Sequence, residues 1–285
     1  MTNSTHSETS RALRSHGVIT VARHFSKIDE PWAKEKIPDY LGQVDHSLAI
    51  DDKHTYEAML EEEERSLNLL MRRMGACNRS LAVVLQGRDG AGKTGATMRI
   101  AEALGYDYKI FASVPISAPT VEELNHGFLW RFTKNERWPA SGQLRVFDRS
   151  WAERLLVERA MKITPEDDIR ESYGIIRMFE KLWTMQGITV VKLWLDITKD
   201  EQKERFKQRK KDKPWKISDS DAVARKHWDD YTPAANEMFH RTGTDFAPWH
   251  IISSEDKRYS RITVLRVINA ALREALGPEK DAKKD

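Results

Sequence analysis

The sequence predicts an α/β fold, a parallel sheet with helices on both faces, and two observations carry the prediction. From residue 53 onward, short apolar runs alternate with amphipathic helical stretches through the whole chain, the pattern of strand–helix–strand units. The best of the apolar runs also leads directly into a glycine-rich loop that opens a helix. The composition agrees: 40% hydrophobic residues supply a core, and 32% charged residues with only 14 Gly and 10 Pro fit a helix-rich globular chain. The length of 285 residues fits one large domain or two small ones.

Each element has its own warrant. Residues 1–10 read as a disordered tail, and 11–52, punctuated by Pro31, Pro38 and Gly42, as an irregular arm over the domain. Tyr56, Met59, Leu60, Leu67, Leu70 and Met74 line one side of a helix over 53–75. The continuous run Leu81-Ala82-Val83-Val84-Leu85 reads as a strand buried on both faces. A helix follows over 93–104, and a second strand is expected over 108–112. Thr120 and Glu123 form a capping-box pair opening a helix to about residue 135. A third strand covers 144–147. Pro165 starts a helix carrying Ile169, Tyr173, Ile176, Phe179 and Trp183 at three-to-four spacing. The longest strand spans 188–197, and Thr198 with Glu201 caps the next helix. Ser218 with Asp221 opens a helix to about 241, a last strand covers 250–253, and an amphipathic helix over 257–276 closes the fold. The expected organisation is a flexible arm over 1–45, one domain over 46–280 with a lid at about 203–232, and a disordered tail at 281–285.

Charge and cysteine content exclude several classes. With 47 Lys plus Arg against 44 Asp plus Glu, the net charge of +3 lacks the cationic excess of a tail-type nucleic-acid binder. The single cysteine, Cys77, excludes an internal disulfide and a cysteine-based zinc cluster, and reads as a small core or interface residue. The nine histidines show no metal-ligand spacing. No apolar run approaches the roughly 18 residues of a membrane span, and the polar start lacks a secretory signal. The expected setting is therefore the cytoplasm, with neither membrane nor nucleic acid as partner.

Residues 87–94, Gly-Arg-Asp-Gly-Ala-Gly-Lys-Thr, match the G-x-x-x-x-G-K-[ST] loop in full and lie between a strand and a helix, the context the motif requires. Gly87, Arg88, Gly90, Ala91 and Gly92 supply backbone amides to a phosphate, and the helix N-terminus adds partial positive charge. Lys93 is placed for terminal phosphate oxygens and Thr94 for a magnesium ion. Asp89 inside this loop would repel phosphate unless a cation lies between them. Asp148, at the end of the third strand, is where a second magnesium-binding carboxylate is expected, with Arg149 beside it for phosphate charge. Residues 205–216 hold seven Lys or Arg and one Asp. Such a run is usually a solvated face; after a long strand it also fits a lid that closes on phosphates and excludes water.

Taken in order, GRDGAGKTG, FDRSW, VVKLWLDITKDEQKERF, WKIS, HWDDY and FHRTGTDFAPWHII followed by DKR resemble the polyphosphate kinase 2 family over roughly residues 40–275. The resemblance implies a P-loop kinase fold with a helical lid. It also implies magnesium-dependent, reversible phosphoryl transfer between inorganic polyphosphate and AMP, ADP or ATP, with guanine nucleotides as further acceptors, and homo-oligomeric assembly. Carried over by position, Asp89 and Asp148 hold magnesium, Lys93 and Arg149 bind the phosphates in transfer, and Arg209 is the lid arginine. Arg99, Arg154 and Lys216 are the expected lining of the polyphosphate path. Thr94 departs from the Gly or Asp common in the family and restores the usual loop hydroxyl. Ala152-Glu153-Arg154 replaces Tyr-Asn-Arg, and an acid at Glu153 resembles branches that accept nucleoside monophosphates as well as diphosphates. Two other readings compete: an ATP-dependent nucleoside or thymidylate-type kinase, and a non-catalytic polyphosphate-binding regulator.

Overall fold

The computed structural model describes residues 9–25, 35–212 and 227–278. Six strands form one sheet: β1 (Ile19–Val21), β2 (Ser80–Gly87), β3 (Phe111–Pro115), β4 (Leu144–Asp148), β5 (Ile188–Asp196) and β6 (Trp249–Ser253). Their spatial order is β1-β6-β5-β2-β4-β3, and every pairing is parallel except β1 with β6. The main helices are α1 (Lys53–Ala76), α2 (Lys93–Ala103), α3 (Glu166–Met185), α4 (Lys199–Asp212), α5 (Trp228–Thr242) and α6 (Lys257–Leu276).

Alternation along the strands divides the core into two layers. Leu81, Val83 and Leu85 of β2 join Val191, Leu193 and Leu195 of β5 against α1, α2 and α6. Ala82 and Val84 face the opposite way, with Phe147, Trp194 and Ile251, against α3 and α5. All five apolar positions expected on α3 are buried. Its first turn carries Glu166, Asp167 and Asp168, which favour the positive end of the helix dipole.

One polar network crosses the second layer. Lys192 of β5 donates to Glu180 of α3 at 2.7 Å and to the Thr242 carbonyl at 2.7 Å, and Trp151 Nε1 donates to Glu180 at 2.9 Å. It fixes Trp151 immediately after the Asp148–Ser150 corner. His250 is also inside the sheet, with Nδ1 3.2 Å from the Thr20 hydroxyl. Burial, reinforced by the Lys192 charge, pushes it down to about 3, so this histidine stays neutral.

Several elements differ from the sequence expectation. The arm is not wholly irregular: Ile19–Val21 adds an antiparallel edge strand, in register with Ile251–Trp249. Three residues are too few for a periodic signal. The second strand lies at Phe111–Pro115 rather than 108–112. Residues 107–110 make a tight turn instead, in which the Asp107 carboxylate accepts from the Lys109 amide and the Asp107 carbonyl from the Phe111 amide. The Thr120–Glu123 capping box is present, but its helix stops at Leu124. Glu123 also pairs with Arg131 and Arg137, which belong to the turns that follow. Cys77 is exposed at the end of α1, not in the core. The expected helix start at Ser218 lies outside the described residues, as does Lys216. Among the described residues no helix is long and apolar enough to cross a membrane.

Candidate active site

The parallel strands bring their carboxyl ends to one edge, the position where open α/β sheets bind ligands. The register sets Asp148 opposite Leu85, Leu195 opposite Gly87 and Ser253 opposite Asp196. Three consecutive motifs therefore meet there although they are far apart in sequence.

The loop after β2 is shaped by backbone requirements that only glycine meets. Gly87 has φ 141°, and a Cβ there would lie 2.4 Å from the Leu195 carbonyl oxygen. Gly92 caps α2 in the left-handed region at φ 99°. A side chain at either position would strain or displace the loop. Lys93 is buried and turns back over the loop, donating to the Gly87 carbonyl at 2.8 Å and the Arg88 carbonyl at 3.2 Å.

Asp89, Lys93, Thr94, Asp148, Arg149 and Arg209 line one cavity of about 810 Å³, with backbone from Gly90 and Gly92. Asp89 is the hub of its charges: its carboxylate is 3.2 Å from Arg149 Nη2 and 3.9 Å from Lys93 Nζ. Arg149 has φ 67°, a strained setting for a non-glycine residue. Burial opposes its charge, but the Glu153 and Asp89 carboxylates more than offset that and raise its pKa.

Glu153 lies behind Arg149, in a hollow of about 30 Å³ shared with Gln86, Arg88, Trp228 and Tyr231. Burial pushes its carboxyl up against the opposing pull of Arg149 and Lys93. Arg88 is directed into this hollow rather than the large cavity. Its guanidinium stacks 3.5 Å over Trp228 and donates to Thr232 at 2.6 Å.

The remaining expected lining residues are not gathered here. Arg99 pairs with Glu102 at 2.5 Å, further along α2. Arg154 donates to Ser172 at 2.9 Å and Glu158 at 3.2 Å. Neither lines the large cavity.

The structure adds residues that sequence reasoning missed. From α4, Gln202 donates to the Asp89 carbonyl at 2.7 Å and Arg205 to the Gly90 carbonyl at 2.9 Å. Arg205 also donates to the Ser254 and Glu255 carbonyls, at 2.5 and 2.8 Å. Ser254 Oγ donates to the Ala91 carbonyl at 2.5 Å. The phosphate loop is thus fastened to the first turns of α4 and to the turn after β6. Glu201 four residues before Arg205 was a visible helix-pair signal, but a run of seven cations did not single Arg205 out.

The donor set fits a hard divalent cation. Asp89, Asp148 and the Thr94 hydroxyl offer oxygen ligands on one cavity, and among the described residues no group of three or more His, Cys, Asp or Glu forms a closed cage. An ion held by one or two carboxylates and completed by substrate phosphates is the usual magnesium arrangement.

A glycine-rich loop on a parallel sheet, a second acid at the neighbouring strand end and a cationic helix across the cavity define a P-loop kinase fold. A model of the family described as polyphosphate kinase 2 matches residues 50–280, and the chain belongs to that family. It is 42% identical over 243 residues to a polyphosphate:AMP phosphotransferase of Pseudomonas syringae pv. tomato, covering 84% of this chain and 48% of that protein. The chain therefore spans about half the length of that relative. A polyphosphate kinase 2 structure from Arthrobacter aurescens TC1 superposes with TM-score 0.76 at 30% identity, covering 94% of this chain and 95% of that one. Another from Pseudomonas aeruginosa PA01 gives TM-score 0.78 at 40% identity, covering 84% and 51%.

Proposed function

We propose that the protein transfers phosphoryl groups reversibly between inorganic polyphosphate and nucleoside mono- and diphosphates, with AMP and ADP as the principal acceptors and guanine nucleotides as further ones. The observation that carries this is the convergence of Asp89, Lys93, Asp148, Arg149 and Arg209 on one large cavity, in a chain related to a polyphosphate:AMP phosphotransferase.

In this reading Lys93 and Arg149 leave Asp89 and the loop carbonyls for phosphate oxygens, and hold the moving group between donor and acceptor. Phosphoryl transfer needs mainly positioning and charge stabilisation, which Lys93 at the start of α2 and Arg149 just after β4 supply. Arg209 adds charge from the lid side, and closure of that side excludes water and so favours an acceptor over hydrolysis. Asp89, Asp148 and Thr94 would hold magnesium, which when bound neutralises phosphate charge. The acidic Glu153 behind Arg149 favours a monophosphate acceptor. The working form is a cytoplasmic homo-oligomer.

The test is to incubate the protein with magnesium and polyphosphate, separately with AMP, ADP and GDP, and to chromatograph the products. Formation of the next higher nucleotide without any nucleoside triphosphate supports the reading. Product formed only with ATP as donor would favour the ordinary nucleoside-kinase reading.

A further inference from the structure

The N-terminal arm crosses the carboxyl edge of the sheet beside the site, and one of its side chains enters a cluster that the phosphate chemistry does not use. The arm is tied at both ends of this crossing. The Tyr40 and Leu41 amides both donate to Asn236 of α5 at 3.1 Å, and the Ile50 amide donates at 3.2 Å to Asp256, the cap of α6. Between these ties His46 comes down on the strand ends. Its Nε2 is 3.2 Å from Asp196, the last residue of β5, and its Nδ1 is 3.8 Å from Glu255 and 3.4 Å from the Ser253 hydroxyl.

Both carboxylates lead to the phosphate loop and the lid helix. Glu255 accepts from the Thr198 amide at 3.0 Å and from the Thr198 hydroxyl at 2.6 Å. The Thr198 hydroxyl in turn accepts from the Glu201 amide at 3.1 Å and so caps α4. The sequence expectation of a Thr198–Glu201 capping box is met by half: Glu255, not Glu201, takes the Thr198 amide. Glu201 does not complete the box because its carboxylate is taken by Arg205 at 2.6 Å. The same Glu255 offers its carbonyl to Arg205, which holds Gly90. Asp196 is buried, takes the Trp194 Nε1 proton at 3.0 Å and faces the charge of Arg88.

We propose that His46, in its protonated form, is a positioning residue: it places a cation between Asp196 and Glu255 and thereby fixes the cap of α4 and the helix's hold on the phosphate loop. The groups facing His46 are Asp196 from β5, Ser253 and Glu255 from the end of β6 and the turn after it, and Asp45 on its own segment. The hydrogen bond to Asp196 raises its pKa; partial burial opposes the shift, and the charges of Asp196, Glu255 and Asp45 add to it. Because the folded-state value is raised, the stabilisation is complete below the ordinary imidazole range and is lost as pH rises through the raised value. Above it, two carboxylates face one another across a neutral ring, and Glu255 is less firmly held against Thr198.

The consequence for turnover rests on the phosphotransfer reading, whereas the consequence for α4 does not, so both are measured. Amide hydrogen exchange of residues 198–212 is compared with that of 257–276 as internal reference, from about pH 6 to about pH 9, in wild type, His46→Gln and His46→Ala. In wild type the opening of the first segment, relative to the second, rises about two- to fivefold across the step, as expected for a partly exposed ion pair. Both variants show the higher opening at every pH and no step. His46→Gln keeps an amide donor for Asp196 and so covers failure of the alanine variant to fold. A wild-type ratio that does not change with pH, or a step that persists in the variants, would overturn the proposal. With polyphosphate and AMP, wild-type kcat falls through the same pH step and that of His46→Gln does not. Absence of wild-type turnover refutes the phosphotransfer reading, while the exchange result still decides the role of His46.

Discussion

Arg149 couples backbone strain to charge placement, and two substitutions separate them. At φ 67° its backbone sits in the left-handed region, held by the bond from its amide to the Leu85 carbonyl at 3.0 Å and by the Ser150 hydroxyl, which accepts from Gln86 at 3.0 Å. Arg149→Ala and Arg149→Gly both remove the guanidinium, and so lose the same pair with Asp89, about 0–1 kcal/mol at a partly exposed position. They differ in the backbone. Left-handed geometry costs a side-chain-bearing residue about 1–2 kcal/mol, and the freedom glycine gains in the unfolded chain takes back about 0.5–1 kcal/mol. The glycine variant should therefore be the more stable of the two by about 1 kcal/mol. Urea unfolding reads this as a higher midpoint at equal slope. Both variants should lose about 10²–10³-fold in kcat, the typical loss of one charge-stabilising group. An alanine variant as stable as the glycine variant would show that the corner does not hold Arg149 left-handed. Retention of more than about a tenth of the wild-type rate, some 1.4 kcal/mol, would remove Arg149 from the moving phosphoryl.

Three further outcomes follow from the same geometry. Asp89→Asn and Asp148→Asn should each raise the magnesium concentration needed for half-maximal rate; an unchanged magnesium titration would leave that residue as a turn or cap residue. Arg209→Ala should lower kcat more than nucleotide affinity, because its charge acts on the closed, reacting state, and a pure affinity loss measured by calorimetry would contradict that role. Glu153→Gln should lower kcat/KM for AMP relative to ADP by more than about threefold, and an unchanged ratio would reduce Glu153 to support for Arg149.

The core of the fold was legible because its strands are uninterrupted apolar runs: β2, β4, β5 and β6 lie within two residues of where the runs predict them. The edge was less so. β1 is three residues long, and β3, half-buried, is displaced by a turn that Asp107 closes. The site divides in the same way. Asp89, Lys93, Asp148 and Arg149 sit in motifs at strand ends, so that sequence position alone fixes their place. Arg99 lies six residues after Lys93 on α2, more than a full turn onward and about 240° around the axis, and so leaves the cavity face. Arg154 lies in a single short 3-10 helix, Trp151–Leu155, too brief for a periodic signal to give its direction. Contacts made through carbonyls, such as those of Arg205 and Gln202 to the phosphate loop, have no residue-type signature on the accepting side. His46 has no signature in the sequence for a related reason: its partners Asp196 and Glu255 are remote in sequence and meet it only because β5 and β6 are neighbours.

The central claim, that polyphosphate itself donates the phosphoryl group through the Lys93 loop, is tested most directly with ³²P-labelled polyphosphate, magnesium and AMP, with no nucleoside triphosphate present, in wild type and in Lys93→Ala. The account predicts label in ADP and then ATP with wild type, and a loss of at least about 10²-fold in that transfer with the variant, whose unfolding curve stays cooperative. Label that remains in polyphosphate or appears only as orthophosphate with the wild-type protein, or transfer that survives in Lys93→Ala, would contradict it.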